Sequence, residues 1–339
     1  MEGNDLAVQE YMKLTDTYNR NLTYLRISIT DRCNLRCLYC SPGGHIPRLS
    51  HEDILSYEEI LRLTRIAVSL GITKVRITGG EPLVRKDVDD FLHKLHQISG
   101  IQDISLTTNG VFLKAHIKAL MEAGLRRINI SLDTLKPDRF RRITGISAFD
   151  QVWEGIQEAF RSGLSPIKIN TVALRGINDD ELEDIARLSF QYPFHFRFIE
   201  YMPVGFSGER NTHPLYTPEI KQRLTEHIGN LIPVGHQLSD GPAERFRFDG
   251  AVGEIGFISA MSHHFCNTCN RLRLTASGQI RSCLLSDHQE DIRASLRSGA
   301  SDTALADTFL MAARMKGKHH MLNAAASVDI TGRMSSIGG

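Results

Sequence analysis

Cysteine is scarce in this chain: six residues in 339, with none between Cys40 and Cys266. So few thiols exclude a disulfide scaffold, which a reducing cytosol would not keep oxidised in any case. Long apolar runs are missing too. None approaches the ~20 residues that cross a bilayer as a helix, so no membrane is expected as a partner. Charge of one sign is also absent, with 40 Lys+Arg against 39 Asp+Glu and a formal net charge of +1. That balance argues against coating a nucleic acid polymer or an anionic surface, but leaves room for a local basic pocket. Residues 1–24 include Glu2, Asp5, Glu10, Lys13, Asp16 and Arg20, and lack the basic start and apolar stretch of a signal peptide. A cytoplasmic protein is expected. With 41% hydrophobic and 23% charged residues, the chain can bury an ample core as one large domain or two smaller ones.

What the sequence does contain is an alternation. Strand-like segments at 24–30, 73–78, 103–108, 126–132, 165–172 and 195–200 are separated by amphipathic stretches at 57–70, 88–97, 113–122, 150–161 and 180–189. Gly71, Gly124 and Gly163 stand where helices need a left-handed cap. Consecutive β/α units imply a parallel sheet with right-handed crossovers. Strands covered on both faces usually read as continuous Val/Ile/Leu, and these do not. Arg26, Ser28 and Thr30 oppose Leu25, Ile27 and Ile29; Arg76 and Thr78 oppose Val75 and Ile77. Thr107 and Asn109 oppose Leu106, and Asn129, Ser131 and Asp133 oppose Ile128, Ile130 and Leu132. Lys168 and Asn170 oppose Ile167 and Ile169. With a two-residue side-chain period, one face packs under helices. The other lines a polar, partly cationic lumen suited to a large anionic ligand, unless that face is simply solvated.

Composition changes after Pro203. A polar, Gly-containing stretch at 205–217 leads to a short helix at 218–228 and to strands at 245–248 and 252–258, with a hairpin signal at Asp249-Gly250. An Ala/Ser-rich helical region follows at 292–315. Residues 1–203 are expected to form one unit built on this parallel sheet, with an N-terminal extension, and 204–339 a smaller appendage closing the open end of the sheet.

The cysteines fall into two triples. Cys33-x3-Cys37-x2-Cys40 lies just past the first strand, where parallel α/β folds place their chemistry. Three thiolates on a polar loop suit a [4Fe–4S] cluster with one iron left open; zinc completed by His45 is the alternative. Cys266-x2-Cys269-x13-Cys283 offers either a second such cluster or a zinc ribbon completed by His263 or His264.

The first triple, with Tyr39 directly before its last cysteine, resembles the signature of radical S-adenosylmethionine (SAM) enzymes. Gly79-Gly80-Glu81-Pro82, after the second strand, is similar to the glycine-rich loop of that superfamily. Over nearly its whole length the chain resembles one family within it, the GTP 3′,8-cyclases of molybdenum cofactor biosynthesis. Residues 25–34, residues 265–271 and the terminal Gly338-Gly339 carry the likeness. It implies an α/β fold, an incomplete (β/α)6-type TIM-like barrel with a smaller C-terminal α+β extension. It also implies two [4Fe–4S] clusters, one on Cys33, Cys37 and Cys40 and one on Cys266, Cys269 and Cys283, with S-adenosyl-L-methionine as cofactor.

The same resemblance implies cofactor contacts from Tyr39, Gly80, Ser131 and Met202. Substrate contacts are implied for Arg26, Arg76, Thr107, Lys168, Arg271, Leu272 and Arg273, and a catalytic role for Gly338 and Gly339. The implied reaction is radical cyclisation of GTP to (8S)-3′,8-cyclo-7,8-dihydroguanosine 5′-triphosphate. Implied partners are GTP, an electron donor of flavodoxin or ferredoxin type, the downstream cyclic pyranopterin monophosphate synthase and a second copy in a homodimer. Ser41 and Gly317 depart from the family pattern, where Met and Pro are common. Another two-cluster enzyme, such as a peptide-modifying one, would usually carry more C-terminal cysteines. A non-enzymatic metal-binding module is the alternative from a different class.

Overall fold

In the computed structural model, which describes residues 13–40, 48–204, 214–235, 241–320, 330 and 334–338, the expected alternation builds one twelve-stranded sheet. The first part runs β1 (Tyr24–Ser28), α1 (Tyr57–Ser69), β2 (Lys74–Thr78), α2 (Val88–His96), β3 (Asp103–Thr108), α3 (Leu113–Glu122) and β4 (Arg127–Ser131). It continues with α4 (Pro137–Thr144), α5 (Phe149–Arg161), β5 (Ile167–Ala173), α6 (Leu182–Arg187) and β6 (His195–Glu200). β1 to β6 pair in order and in parallel. Local chemistry sets these boundaries. Ser56 caps α1 by accepting from the Glu59 N–H, while the Glu59 side chain accepts from the Ser56 N–H. Gly71, Gly124 and Gly163 all take positive φ, as expected of caps.

The rest of the chain adds α7 (Thr217–His227), β7 (Ile232–Pro233), β8 (Glu244–Arg247), β9 (Glu254–Ile258), β10 (Arg271–Leu274), β11 (Gln279–Arg281) and β12 (Gln289–Asp291). Helices α8 (Ile292–Arg297), α9 (Asp302–Arg314) and α10 (Met334–Ile337) follow. The helical region expected at 292–315 is thus two helices, and Ser301 caps the second by accepting from the Ala304 N–H. β9 adds in parallel beside β6, and β10 adds in parallel beside β1. The final order is β12-β11-β10-β1-β2-β3-β4-β5-β6-β9-β8-β7, an open sheet, as an incomplete TIM-like barrel requires. The C-terminal segment therefore forms no sheet of its own among the described residues. It continues the barrel sheet at both edges.

Period-two alternation sorts the faces. Leu25, Ile27, Val75, Ile77, Leu106, Ile128, Ile130, Ile167 and Ile169 are buried in the main apolar core with residues of the covering helices. Register then aligns the polar side chains into rows. Arg273, Arg26, Arg76 and Ser105 stand opposite one another across β10, β1, β2 and β3. Thr107, Asn129, Lys168 and His195 form a second row across β3 to β6.

Candidate active site

The polar face and both cysteine triples line one cavity of about 300 Å³. β10 runs parallel to β1 with Arg271 opposite Tyr24. Cys269 therefore lies before the N-terminal ends of these strands, and Cys33 lies beyond the C-terminal ends. The triples sit at opposite ends of the lumen, with β1, a five-residue strand of roughly 17 Å, running between the two ends.

At the C-terminal end, backbone bonds shape the cysteine loop. Arg36 and Leu38 donate N–H groups to the carbonyls of Thr144 and Ile143 at 2.8 and 2.9 Å, tying the loop to α4. Cys40 N–H donates to the Cys37 carbonyl at 3.0 Å. The Leu35 N–H reaches Cys33 Sγ at 3.4 Å. Burial pushes the Cys33 thiol up to about 11 and Cys40 up to about 12, and raises Cys37 well above its ordinary value. Carboxylates add to this, Glu81 beside Cys33 and Asp133 beside Cys37 and Cys40. Metal binding at these thiols must therefore expel protons.

The glycine loop after β2 is clamped to the same segment. Gly80 N–H donates to the Thr30 carbonyl and Glu81 N–H to the Arg32 carbonyl, both at 2.8 Å. A β-carbon at Gly80 would overlap the Arg32 backbone, so only glycine fits. The buried Glu81 carboxylate accepts from the Thr108 hydroxyl at 2.7 Å and from the N–H groups of Asn109 and Leu83 at 2.6 and 3.0 Å. Burial still lifts it to about 7. Tyr39 donates its hydroxyl to Asp133 at 2.6 Å, and Val172 N–H bonds the other carboxylate oxygen at 2.9 Å. Burial lifts Asp133 to about 6.

Between the two ends lies a cationic floor. Five arginines line the cavity: Arg26, Arg76, Arg197, Arg271 and Arg273. Arg197, only 5% exposed, donates to Asn170 at 2.9 Å and to Asn129 at 2.5 Å. Burial lowers the pKa of Arg26 far below its usual value, that of Arg197 to about 9 and that of Arg273 to about 10. Neighbouring guanidiniums lower each further, Arg273 acting on Arg26, Arg76 on Arg197 and Arg271 on Arg273. The two lining carboxylates are already engaged. Asp133 takes the bonds given above, and Glu200 accepts N–H groups from Thr217, Met261 and Ser262. The hydroxyls of Tyr24, Thr78 and Thr107 are buried with no hydrogen-bond partner among the described residues. Excess cations together with orphaned hydroxyls make a site for a polyanion rich in oxygen.

At the N-terminal end burial likewise raises the Cys266 thiol, but the electrostatics reverse at Cys269. Burial would raise the Cys269 thiol, but Arg271 and Lys316 outweigh it and hold Cys269 at about 6, a thiolate at neutral pH. Lys316, 4% exposed, donates to the carbonyls of Arg271 at 3.0 Å and Ser282 at 2.5 Å. It thus bridges the segments that carry Cys269 and Cys283. Among the described residues, neither cysteine triple gathers its sulfurs within 4.8 Å of one another. A mononuclear zinc site with Zn–S bonds of ~2.3 Å needs them about 3.8 Å apart.

The Radical SAM superfamily profile matches residues 27–189, and that of Molybdenum Cofactor Synthesis C matches residues 194–322. A GTP 3′,8-cyclase of Moorella thermoacetica is 50% identical over 311 residues, 91% of this chain and 96% of its own. One of Thermodesulfovibrio yellowstonii is 52% identical over 304 residues, 89% of this chain and 94% of its own. The chain belongs to the GTP 3′,8-cyclase family. Its fold is also that of SuiB from Streptococcus suis, solved with S-adenosylmethionine bound, at a TM-score of 0.59 and 17% identity. That match covers 81% of this chain and 64% of the SuiB chain. Membership of this cyclase family brings SAM and iron–sulfur chemistry to the chain.

The cyclase cavity gathers most residues that the sequence singled out. All six cysteines line it, as do Tyr39, Gly80, Ser131 and Met202. Arg26, Arg76, Thr107, Arg271 and Arg273 line it as well. Two residues fall elsewhere. Leu272 is 0% exposed and pairs with Leu25 in the apolar core, because the two-residue period turns it away from Arg271 and Arg273. Lys168 lines a small adjoining cavity with His195 and Glu254 rather than the main one. Gly338 packs on the polar face, where a β-carbon would strike Thr78, and its carbonyl accepts from Arg273 at 2.5 Å. Gly339, His45 and Ser41 lie outside the described residues. Arg197 was missed although it stands on the same face as Asn170 in the recognised strand pattern. Replacing Gly80 by alanine is expected to displace the Arg32 backbone and weaken SAM binding by about tenfold or more. Equilibrium dialysis against SAM checks this, and an unchanged affinity would contradict it.

Proposed function

We propose that this chain holds two [4Fe–4S] clusters, one at each end of the lumen, and cyclises GTP between them. The product is (8S)-3′,8-cyclo-7,8-dihydroguanosine 5′-triphosphate, and the reaction is the first step of molybdenum cofactor biosynthesis. The observation that carries this reading is the row of arginines between two cysteine triples in a single cavity. The residues fit the groups. Sulfurs too widely spaced for one zinc ion suit a four-iron cluster. The orphaned hydroxyls and excess guanidiniums suit a nucleoside triphosphate.

Cys33, Cys37 and Cys40 would hold the cluster that takes SAM, with Tyr39, Gly80, Ser131 and Met202 around the cofactor. Cys266, Cys269 and Cys283 would hold the other, beside the base. When bound, the reduced cluster and SAM supply a 5′-deoxyadenosyl radical able to take the ribose 3′-hydrogen. The protein binds and orients. Arg26, Arg76, Arg197 and Arg273 oppose the triphosphate charge, and Arg271 stands at the second triple. Arg273 also fixes the Gly338 carbonyl, so substrate grip and tail position depend on one side chain. Enclosure excludes water and keeps the substrate in near-attack geometry. An electron donor of flavodoxin or ferredoxin type and a downstream cyclic pyranopterin monophosphate synthase complete the scheme.

Anaerobic reconstitution should give a brown protein with about eight irons per chain. With GTP, SAM and reductant it should form 5′-deoxyadenosine and a new isomer of GTP, read by mass spectrometry. Colourless protein holding zinc, with no 5′-deoxyadenosine, would sink the proposal.

A further inference from the structure

One compact metal-ligating group exists among the described residues, and it is not either cysteine triple. The ligand atoms of His264, Cys266 and His319 all lie within 4.8 Å of one another. The His264 and His319 rings are 4.9 Å apart. They come from segments more than fifty residues apart in sequence, and a buried tether joins those segments. Arg20 donates to the carbonyls of Cys266 at 2.6 Å, Gly317 at 2.7 Å and Lys318 at 3.1 Å. Its Nε pairs with Asp16 at 2.5 Å, and the two side chains are 9% and 0% exposed. The meeting of Cys266 with His319 is thus held by fixed bonds to the backbone beside each residue.

Two imidazoles and a thiolate are a borderline-soft donor set suited to zinc. A tetrahedral site with Zn–N of ~2.1 Å and Zn–S of ~2.3 Å places its ligand atoms about 3.6 Å apart. The trio need therefore close by no more than about 1.2 Å, which exposed imidazoles can do by small side-chain rotations. Both histidines are exposed, so neither rotation disturbs packing. Water would take the fourth position.

We propose that His264, Cys266 and His319 form a divalent-metal site, for zinc or a similar ion, that competes with cluster loading at the second triple. The competition rests on the reading of Cys266 as a cluster ligand, since one thiolate cannot serve both. With Cys266 on zinc, Cys269 and Cys283 alone cannot hold a [4Fe–4S] cluster. The first triple shares no residue with this trio, so zinc would close one end of the lumen and spare the other.

Cobalt(II) reports the site directly, because tetrahedral thiolate-bound Co(II) absorbs in the visible and near ultraviolet. Titration of the full-length, cluster-free chain should saturate at about one equivalent with a thiolate-to-metal band. H264A and H319A should each weaken binding by roughly 30-fold, and C266A should remove the band. C269A and C283A should bind as tightly as the parent. Loss of binding in C269A or C283A, with retention in H264A and H319A, would assign the metal to the cluster cysteines and overturn the proposal. So would a parent chain that binds no Co(II).

Loading iron after pre-equilibration with zinc tests the competition. The parent should stop at about four irons per chain, whereas the H264A/H319A double variant should reach about eight. Zinc that leaves parent iron loading unchanged would overturn the competition. A parent that stops near four irons without zinc would instead overturn the two-cluster reading, while the Co(II) result stands or falls separately.

Discussion

Replacing Cys37 with alanine will abolish SAM cleavage. Three thiolates are the minimum set for a four-iron cluster with one open iron, and two do not hold it. The expected fall in 5′-deoxyadenosine formation is at least 10⁴-fold, about 5.5 kcal/mol in transition-state terms. The fold should survive, because the loop is shaped by backbone bonds from Arg36, Leu38 and Cys40 rather than by the Cys37 side chain. Iron should fall to about four per chain, the second triple remaining loaded. Chromatography of the nucleoside products and an iron assay on the same sample check both halves. Full turnover by the variant would leave the mechanism without a cofactor site.

Replacing Arg273 with alanine will lower activity and raise the stability of the empty protein. The side chain stands in register with Arg26, 4% exposed, in a row of like charges. A base whose pKa is lowered on folding costs stability wherever it is charged, which here means at every pH below about 10. Removing it relieves that cost, and the empty variant should melt a few degrees higher. The same charge fixes the Gly338 carbonyl and, on the proposed function, opposes the triphosphate, so kcat/KM should fall about 10²- to 10⁴-fold. Lysine should restore part of the binding but not the forked geometry. Steady-state kinetics and thermal unfolding are the measurements. A kcat/KM within threefold of the parent would remove Arg273 from the site.

The polar lumen was legible because a period of two survives in five strands, and charged residues on one face of a helix-covered sheet need a reason to be there. The same period also showed where Leu272 belongs, since it lies between Arg271 and Arg273. Following the motif as a block obscured that. Arg197 sat in a correctly placed strand whose faces were not sorted, although Phe196 and Phe198 alternate with it. The pairing of β10 with β1 was not legible. Nothing local in Arg271–Leu274 tells a parallel strand which partner, almost 250 residues away, it will join. Asp133 was legible on the polar face and Glu81 in the glycine loop, but not as buried, hydrogen-bonded carboxylates, because their donors come from separate strands and loops.

Because β9 and β10 close against β6 and β1, the barrel strands made first must wait for strands made last. During synthesis, β1 to β6 emerge with both outer strands unpaired, each a template for wrong association. The chain cannot cover its first strand until residues near 271 leave the ribosome, roughly 12 to 50 seconds after that strand at ordinary elongation rates. The cysteines of the first loop are present throughout that interval, whereas Cys266, Cys269 and Cys283 arrive together with the strands that complete the sheet. Completion of the sheet and the arrival of the second cysteine triple therefore fall together in time.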